Sequence, residues 1–370
     1  MGDIYFITGV TGFLGQEILE ILSRQPGTDR CYCLVRGTKE QDPQQRLRAI
    51  LAEIGLSDDG RILAVGGDIR LDRMGIEDAP YADLGTKVTQ VIHSAADVRF
   101  NQPLDKIRAI NVQGTKNICD FAAACGRNNP AFSHLNYIGT AFVAGRRTGV
   151  VKEDDLTDAF GFKNTYEQTK YEAEVLVRSY REDGLPVIIF RPSIVVGASE
   201  TGKAKPRNVL YPMLKFFKEW DFPLVSMNTE ARLDIVPVDF VARAFVHISG
   251  RRENIGGCFH LTAGPEGNIN LKKMLKITAG GLDKRVVIFP QTVWAYLVRP
   301  LIKLLKPSLY DNSVLPAYRP YIWWPSPLYD VERTERALEG SGIRLPDKER
   351  FLKNCIRYAV ETDFGARPLT

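Results

Sequence analysis

A glycine turn near the start of the chain constrains its fold more than any other feature. A short apolar strand over residues 4–8 leads into Gly9, Gly12 and Gly15, and helical sequence follows at once. Gly9 allows the tight turn, Gly12 lets backbone approach a phosphate, and Gly15 lets the helix pack closely on the strand. The N–H groups and the dipole of that helix favour an anion. The pattern therefore predicts a dinucleotide pyrophosphate site.

Strand-like and helical sequence alternate through the first two thirds of the chain, which implies a mostly parallel sheet covered on both faces. We therefore expect an α/β fold, a Rossmann-type doubly wound parallel sheet with a smaller, mostly helical C-terminal substrate-binding portion. The expected nucleotide-binding domain covers 1–197, with 233–262 returning to it, and the substrate-binding portion covers 198–232 and 263–370. The predicted strands are 4–8, 31–35, 62–65, 88–93, 134–138 and 187–190, and the predicted helices include 16–23, 44–54, 114–124 and 165–181.

Composition narrows the class of protein. The 370 residues carry a formal net charge of +5, which does not suggest nucleic acid but is compatible with anionic ligands such as NADP, coenzyme A or an acidic carrier protein. No apolar run is long enough to span a bilayer, and we expect no signal peptide because the first strand begins almost at Met1. We therefore expect a cytoplasmic protein with reduced thiols. The six cysteines and the four histidines lack metal-site spacing, so we expect no metal.

The end of the second strand indicates the cofactor. An NAD site usually has Asp or Glu there, whereas an Arg suits a 2′-phosphate. This chain has Arg36, and Arg46 on the next helix either reaches the same phosphate or is a solvated helix charge. NADP is favoured over NAD. Asp68 follows the third strand, where it either accepts from the adenine amine or is an exposed turn residue.

Three side chains form a candidate proton-transfer group. Tyr166 and Lys170 are four residues apart in helical sequence, so they share one face. We expect the Lys170 cation to lower the pKa of the Tyr166 phenol and prepare it for proton transfer. Thr140 offers a hydroxyl at a strand end, where ligands of open α/β folds bind, and residues 190–195 form another strand end that could line a nicotinamide.

In order along the chain come the glycine motif, the Asp68 turn, residues 93–97 and 111–115, Thr140, the Tyr166/Lys170 pair and residues 191–193. In this order the chain resembles the extended short-chain dehydrogenase/reductases. Within them it is most similar to the thioester reductases, which include terminal reductase domains of nonribosomal peptide and polyketide assembly lines, those of carboxylic acid reductases, and fatty acyl-CoA reductases. The more specific matches are residues 34–36 with 46–47, 95–97 and 234–239, and a departure is Gly139, where the family often has Ser.

The resemblance implies NADPH-dependent reduction of an acyl thioester, on coenzyme A or on an acyl or peptidyl carrier protein, either to an aldehyde or further to an alcohol. It implies that Tyr166 donates a proton, Thr140 hydrogen-bonds the oxyanion and Lys170 holds the cofactor ribose. The cofactor-binding residues it implies are Gly9, Thr11, Gly12, Phe13, Leu14, Gly15, Arg36, Arg46, Asp68, Ile69, Ala95, Ala96, Asn111, Tyr166, Lys170, Pro192, Ser193 and Ile194.

Two other functions stay open. One is an NADP-dependent dehydrogenase or epimerase of the extended family, acting on a sterol-like or nucleotide-sugar substrate. Arg36 and the apolar, aromatic C-terminal third argue against the epimerase. The other is a catalytically silent NADP sensor or scaffold, against which the intact Thr140, Tyr166 and Lys170 argue.

Two segments beyond the first domain carry further expectations. Residues 291–306 form an amphipathic basic pattern, which fits a helix that covers the substrate cavity or docks an acidic carrier. A membrane-surface contact is the less favoured alternative. Lys203, Lys205 and Arg207 follow a strand end, where they either receive the phosphates of the substrate's tether or form a solvated charge cluster.

Overall fold

The computed structural model describes residues 2–205, 210–219, 224–228, 230–289 and 326–364, with the single positions 293, 296, 297, 300, 301, 304, 320, 321 and 366. The described strands are β1 Asp3–Thr8, β2 Thr28–Val35, β3 Ile62–Gly66, β4 Gln90–His93, β5 His134–Ile138, β6 Val150–Val151, β7 Val187–Pro192, β8 Ile194–Val196, β9 Leu224–Ser226, β10 Arg232–Leu233, β11 Ile235–Pro237, β12 Cys258–Leu261, β13 Ile269–Asn270, β14 Val287–Phe289 and β15 Leu328–Tyr329.

The described α-helices are α1 Phe13–Ser23, α2 Pro43–Glu53, α3 Asp78–Lys87, α4 Leu104–Asn111, α5 Gln113–Asn128, α6 Thr165–Glu182, α7 Leu210–Glu219, α8 Val238–Ser249, α9 Gly264–Gly267, α10 Leu271–Gly281, α11 Glu332–Leu338 and α12 Lys348–Glu361. Short 3₁₀ helices cover Asp72–Gly75, Ala141–Ala144 and Arg252–Asn254. Within these described residues, none of the helices combines the length and the apolar character needed to cross a membrane.

A seven-stranded parallel sheet forms the centre of the molecule, in the order β12-β7-β5-β4-β1-β2-β3. Its central strands are buried on both faces, as their near-continuous apolar sequence requires. The strand order reverses between β1 and β4, and ligands of such sheets bind beyond the carboxyl ends of the strands at this reversal. The expected Rossmann-type doubly wound fold is confirmed.

Helices cover both faces of the sheet. On one face α1, α2 and α8 bury apolar side chains such as Leu19, Leu47 and Phe245 against the strands. On the other face α3, α5 and α6 do the same with side chains such as Phe121 and Val177. This double cover leaves the two ends of the strands as the places where side chains can meet a ligand.

The C-terminal part has an apolar core of its own. It combines residues of α7, α10 and α12, such as Leu214, Met274 and Leu352, with short strands after β8. The chain also returns to the large sheet, because β12 pairs with β7 and α8 packs on α1. The domain boundaries expected from the sequence stay a prediction.

Candidate active site

The predicted site residues gather at one edge of the sheet. Gly9, Arg36 and Thr140 each come directly or nearly directly after a strand of the parallel sheet, at its carboxyl end. Because all seven strands run in the same direction, these ends meet at a single edge. Tyr166 and Lys170 reach the same edge from the first turns of α6. The sequence therefore predicted residues that the fold does bring together.

The glycine turn between β1 and α1 has no room for a side chain at Gly9 or Gly15. Gly9 has φ +84°, and a Cβ there would lie 2.6 Å from the backbone carbon of Ser94. A Cβ on Gly15 would overlap the Gly9 carbonyl oxygen. Gly12 donates its N–H to Gly9 O at 2.8 Å, and a Cβ on Gly12 would lie 3.1 Å from that oxygen. The turn thus brings backbone close to the start of α1.

The start of α1 is suited to an anion. Its N-cap residue Gly12 supplies no side-chain cap, and its first turn holds no acidic residue. The N–H groups of that turn and the helix dipole therefore face the sheet edge without a competing carboxylate. Thr11 is half-buried in the turn, while Phe13 and Leu14 pack against the two cores that flank it. The turn fits a dinucleotide diphosphate.

Arg36 and Arg46 lie together beyond β2. The Arg36 side chain is 61% exposed, and its Nη1 is 3.4 Å from a carboxylate oxygen of Asp68. Arg46 on α2 donates from Nη1 to the Arg36 carbonyl oxygen at 2.7 Å. Both cations therefore lie near the end of β2, where the Arg36 side chain is exposed and Arg46 is half-buried.

Asp68 is more firmly held than an exposed turn residue would be. Arg70 donates to both of its carboxylate oxygens, with an Nη2–Oδ2 distance of 2.6 Å. This hydrogen bond holds the pKa of Asp68 at about 2, against the opposing effect of burial. The neighbouring Ile69 is fixed through its carbonyl oxygen, which accepts from the Asn117 side chain at 2.7 Å.

Ala95 and Ala96 lie in the turn after β4, and both are half-buried. The Ala95 N–H donates to the Thr8 hydroxyl at 3.3 Å. Asn111, the last residue of α4, is buried and grips the same turn: its Oδ1 accepts from Asp97 N at 2.8 Å and its Nδ2 donates to Asp97 O at 3.0 Å. The Asn111 side chain therefore shapes the turn.

Thr140 and Tyr166 are both buried, and the Thr140 side chain acts to lower the pKa of the Tyr166 phenol. Thr140 also caps the 3₁₀ helix that follows it, by accepting from Phe142 N at 3.3 Å, and its hydroxyl lies 3.3 Å from Pro192 O. The Tyr166 ring packs against Phe100, with 5.8 Å between ring centroids. A phenol and an alcohol thus form a single polar pair in apolar surroundings.

The expectation that Lys170 lowers the pKa of Tyr166 is wrong. Burial raises the pKa of Tyr166 to about 12, and the Thr140 side chain only partly opposes this. The Lys170 ammonium donates instead to Ile138 O at 3.0 Å and lies over the Tyr137 ring. Burial lowers the pKa of Lys170 to about 8, against the attraction of Glu174. Desolvation outweighs the charge here because both groups are buried.

A buried ion pair between β7 and α6 anchors the end of β7. The Arg191 guanidinium is fully buried and pairs with both carboxylate oxygens of Glu174, the closer at 2.6 Å. Pro192 ends β7, Ser193 is buried, and Ile194 begins β8 with its N–H donating to Asp234 O at 3.2 Å. These three predicted residues therefore lie on rigid backbone beside Thr140.

Two residues at this edge were missed by reasoning from the sequence. Arg70 lies two residues after Asp68, and that spacing alone could have indicated an ion pair. Asn117 donates to both Ile69 O and Leu71 O at 2.7 Å from the buried face of α5. Its polar side chain at a position of the apolar helix face is the signal that could have identified it.

The expected tether-binding cations are only partly described. Lys205 pairs with Glu53 of α2 at 3.3 Å. Burial raises the pKa of Glu17, and the charge of the nearby Lys203 only partly opposes this. Arg207 lies outside the described residues. The amphipathic segment 291–306 also lies largely outside them, so its role stays a prediction.

The doubly wound sheet, the glycine turn and a Tyr-x-x-x-Lys helix beside a strand-end Thr together define an extended short-chain dehydrogenase/reductase. Residues 7–245 match the male sterility protein family of NAD-binding domains, and the chain belongs to that family. The family indicates that the chain binds a nicotinamide dinucleotide.

Known relatives agree with this assignment. The chain is 30% identical to the nonribosomal peptide synthetase asaC of Aspergillus flavus, over 95% of this chain and 36% of that protein. It is 28% identical to the aldehyde reductase lnaA of A. flavus, over 95% of this chain and 36% of that protein. The chain thus spans about a third of the length of the curated relatives it matches.

A solved structure matches nearly the whole chain. It is the terminal R domain from the myxalamid PKS-NRPS biosynthetic pathway, with a TM-score of 0.83 and 29% identity, covering 98% of this chain and 91% of that one. The resemblance to terminal reductase domains that the sequence motifs indicated is confirmed.

Proposed function

We propose that the protein reduces acyl thioesters to aldehydes with NADPH, using Thr140, Tyr166 and Lys170. The observation that carries the proposal is the buried group of Thr140 and Tyr166, with Lys170 one helical turn further along α6. It lies at the same sheet edge as the glycine turn. Relatives named as an aldehyde reductase and as nonribosomal peptide synthetases support the choice of reaction.

The backbone and the cations of the edge support NADPH as the cofactor. Gly9, Gly12 and Gly15 leave the space for a diphosphate, and the start of α1 offers N–H groups to it. Arg36 and Arg46 supply the positive charge for a 2′-phosphate. When bound, the dihydronicotinamide supplies a hydride to the thioester carbonyl carbon.

Tyr166 acts as the proton donor in this proposal. Its pKa of about 12 keeps the phenol protonated at neutral pH, so the hydroxyl can give a proton to the carbonyl oxygen as negative charge develops there. Thr140 stabilises the same oxygen by a hydrogen bond. Lys170, largely protonated below its pKa of about 8, stabilises the phenolate that Tyr166 leaves. The resulting hemithioacetal breaks its carbon–sulfur bond, releasing an aldehyde and a thiol.

The acyl carrier is the second part of the proposal. Matches to nonribosomal peptide synthetases and to a terminal R domain favour a thioester on a carrier protein over one on coenzyme A. We test this with matched acyl chains on a carrier protein and on coenzyme A, measuring NADPH oxidation, thiol release and aldehyde formation. A higher kcat/KM with the carrier-bound chain is expected. A higher kcat/KM with coenzyme A would overturn the carrier, and no thiol release from either would overturn the reaction.

Arg36→Ala tests the choice of cofactor. Charge-assisted contacts contribute about 1.5–3 kcal/mol each, so the variant is expected to lose roughly 10- to 150-fold in NADPH affinity and little in NADH affinity. Titration of cofactor binding measures both. The matched control is Arg48→Ala, which removes an exposed arginine of α2 that pairs with Asp58. Equal NADPH and NADH affinities in the unsubstituted protein would contradict the assignment.

A further inference from the structure

A chain of buried hydrogen bonds begins where β1 and β4 lie side by side. Thr8 and His93 are the last residues of these strands and are register partners. The Thr8 hydroxyl is 2.8 Å from His93 Nδ1, and the same hydroxyl oxygen accepts from Ala95 N at 3.3 Å. The turn that carries Ala95 and Ala96 is therefore held by Thr8, and Thr8 is held by His93.

The hydrogen bonds beyond His93 determine which of its nitrogens carries the proton. Thr115 donates its hydroxyl to Asn111 O at 2.6 Å, so its oxygen is left to accept from His93 Nε2 at 3.1 Å. His93 Nδ1 is then an acceptor, so the Thr8 hydroxyl donates its proton to that nitrogen. Burial keeps the ring neutral by lowering its pKa to about 3. One set of proton positions therefore gives each donor from Thr8 to Thr115 an acceptor.

The chain of hydrogen bonds continues into α6 through Asn111. The Asn111 side chain donates to the Thr169 hydroxyl at 3.1 Å, and Thr169 donates to Tyr166 O at 3.1 Å. Thr169 lies between Tyr166 and Lys170 in the first turns of α6. Side chains along this route, from Thr8 to Thr169, are buried. A buried hydrogen bond that loses one partner leaves the other unsatisfied, so these groups hold their positions together.

We propose that His93 is a positioning residue that couples the cofactor turn at Ala95–Ala96 to the first turns of α6, through Thr8 on one side and Thr115, Asn111 and Thr169 on the other. The proposal rests on the function proposed above, since it assumes a dinucleotide at the turn. His93 touches neither substrate nor cofactor in this account. It holds the two parts of the site in register, so that binding at the turn favours the arrangement of α6 that Tyr166 and Lys170 need.

A double-substitution cycle on NADPH affinity tests the coupling without any acyl substrate. Thr8→Val and Thr169→Val remove one hydroxyl from each end of the chain. Each is expected to weaken NADPH binding, and the double variant is expected to lose less than the product of the two losses, with a coupling of roughly 2- to 100-fold. Independent losses that multiply would overturn the proposal.

Two matched controls separate coupling through the chain of hydrogen bonds from the general effect of removing a hydroxyl. Thr28→Val removes a buried hydroxyl that has no hydrogen-bond partner among the described residues. Thr165→Val removes an α6 hydroxyl that donates to Gln102 O at 2.9 Å, outside the chain. Thr28→Val paired with Thr169→Val, and Thr8→Val paired with Thr165→Val, are expected to give losses that multiply. A coupling as large in either control pair would overturn the proposal.

Hydrogen exchange on the full chain without cofactor gives a second readout. Thr115→Val is expected to speed exchange in the turn after β4 and in the first turns of α6 together, and Thr28→Val in neither. His93→Ala is expected to speed exchange both in the turn and in α6. His93→Asn keeps an acceptor near Thr8, so it is expected to keep exchange slow in the turn but not in α6. Unchanged exchange in α6 for all three variants at Thr115 and His93 would overturn the coupling. A protein that shows the coupling but reduces no thioester would instead overturn the proposed function alone.

Discussion

At the residue scale, burial decides the chemistry of the candidate site more than neighbouring charge does. Tyr166 is a poorer acid than an exposed tyrosine, and the Lys170 ammonium is a stronger acid than that of an exposed lysine, because both charged forms lose water. A phenol that stays protonated suits a proton donor. An ammonium whose pKa is about 8 makes the site sensitive to mild alkali.

We predict that kcat/KM for the thioester falls as the pH rises through about 8, because Lys170 loses its proton there. Tyr166, with a pKa of about 12, does not titrate in that range. A pH profile of the initial rate measures this. A rate that stays level well above pH 8 would show that the charge on Lys170 is not needed.

The free energy of unfolding of Lys170→Met, compared with that of the unsubstituted protein, tests the lowered pKa of Lys170 without any activity measurement. The folded lysine releases its proton near pH 8, whereas an unfolded lysine holds its proton to about 10.5. The buried ammonium therefore costs stability below pH 8, and that cost is relieved between these two values. Denaturation at several pH values should show the advantage of Lys170→Met shrinking as the pH rises.

At the element scale, β1, the glycine turn and α1 form the part of the site with the least tolerance for added atoms. Gly15 is a helical residue, and a helix normally gains from alanine. Its position under the Gly9 carbonyl reverses that preference, since a Cβ would overlap the oxygen. The shape of the turn, more than helix propensity, thus decides the residue.

We predict that Gly15→Ala lowers the free energy of unfolding by about 1–3 kcal/mol or more and weakens NADPH binding, because the turn must move. The matched control is Gly280→Ala, at an exposed helical glycine of α10 whose Cβ would meet no atom within 4 Å. That control should raise stability by about 0.5–1 kcal/mol. Chemical denaturation measures both, and a neutral Gly15→Ala would contradict the close packing described here.

The elements themselves were largely predictable, because each depends on local pattern. β5 spans His134–Ile138 as predicted, while α5 extends to Gln113–Asn128 beyond the predicted 114–124. β7 continues through Arg191 and Pro192, past the predicted residue 190, because the Arg191 charge is neutralised by Glu174 of α6. Such a long-range partner cannot be read from strand sequence.

The position of the candidate site residues at one sheet edge was predictable, their roles stay predictions, and the pKa values of the site were not predictable. Motif order identified Thr140, Tyr166 and Lys170, since spacing on a helix and position after a strand are local properties. The ion pair between Arg70 and Asp68 depends on side-chain conformation, and the pKa of Tyr166 depends on burial. Neither property follows from the spacing of residues in the sequence.

At the scale of the whole molecule, a buried carboxylate ties the C-terminal part to the sheet. Glu153 lies between β6 and α6, and it accepts from His260 N on β12 at 2.9 Å. It also accepts from Arg333 N at 2.9 Å and from the Thr334 hydroxyl at 2.7 Å, at the start of α11. One side chain therefore joins three parts of the chain that lie far apart in sequence.

We predict that Glu153→Gln lowers the free energy of unfolding by about 1–3 kcal/mol, because in either orientation the amide NH₂ would face at least one backbone N–H, which can only donate. Urea denaturation measures the change. The control is Glu182→Gln, an exposed glutamate at the end of α6, which should change stability by less than about 0.5 kcal/mol. Equal effects of the two substitutions would show that the Glu153 contacts contribute nothing specific.

The most direct test of the central claim is NADPH oxidation with a carrier-bound acyl thioester, comparing the unsubstituted protein with Tyr166→Phe. The unsubstituted protein should release thiol and aldehyde as NADPH is consumed. Tyr166→Phe should bind NADPH but lose about 10²- to 10⁴-fold in kcat, because it keeps the ring and lacks the proton. A Tyr166→Phe variant that keeps most of its kcat, or an unsubstituted protein that releases no thiol, would contradict the account.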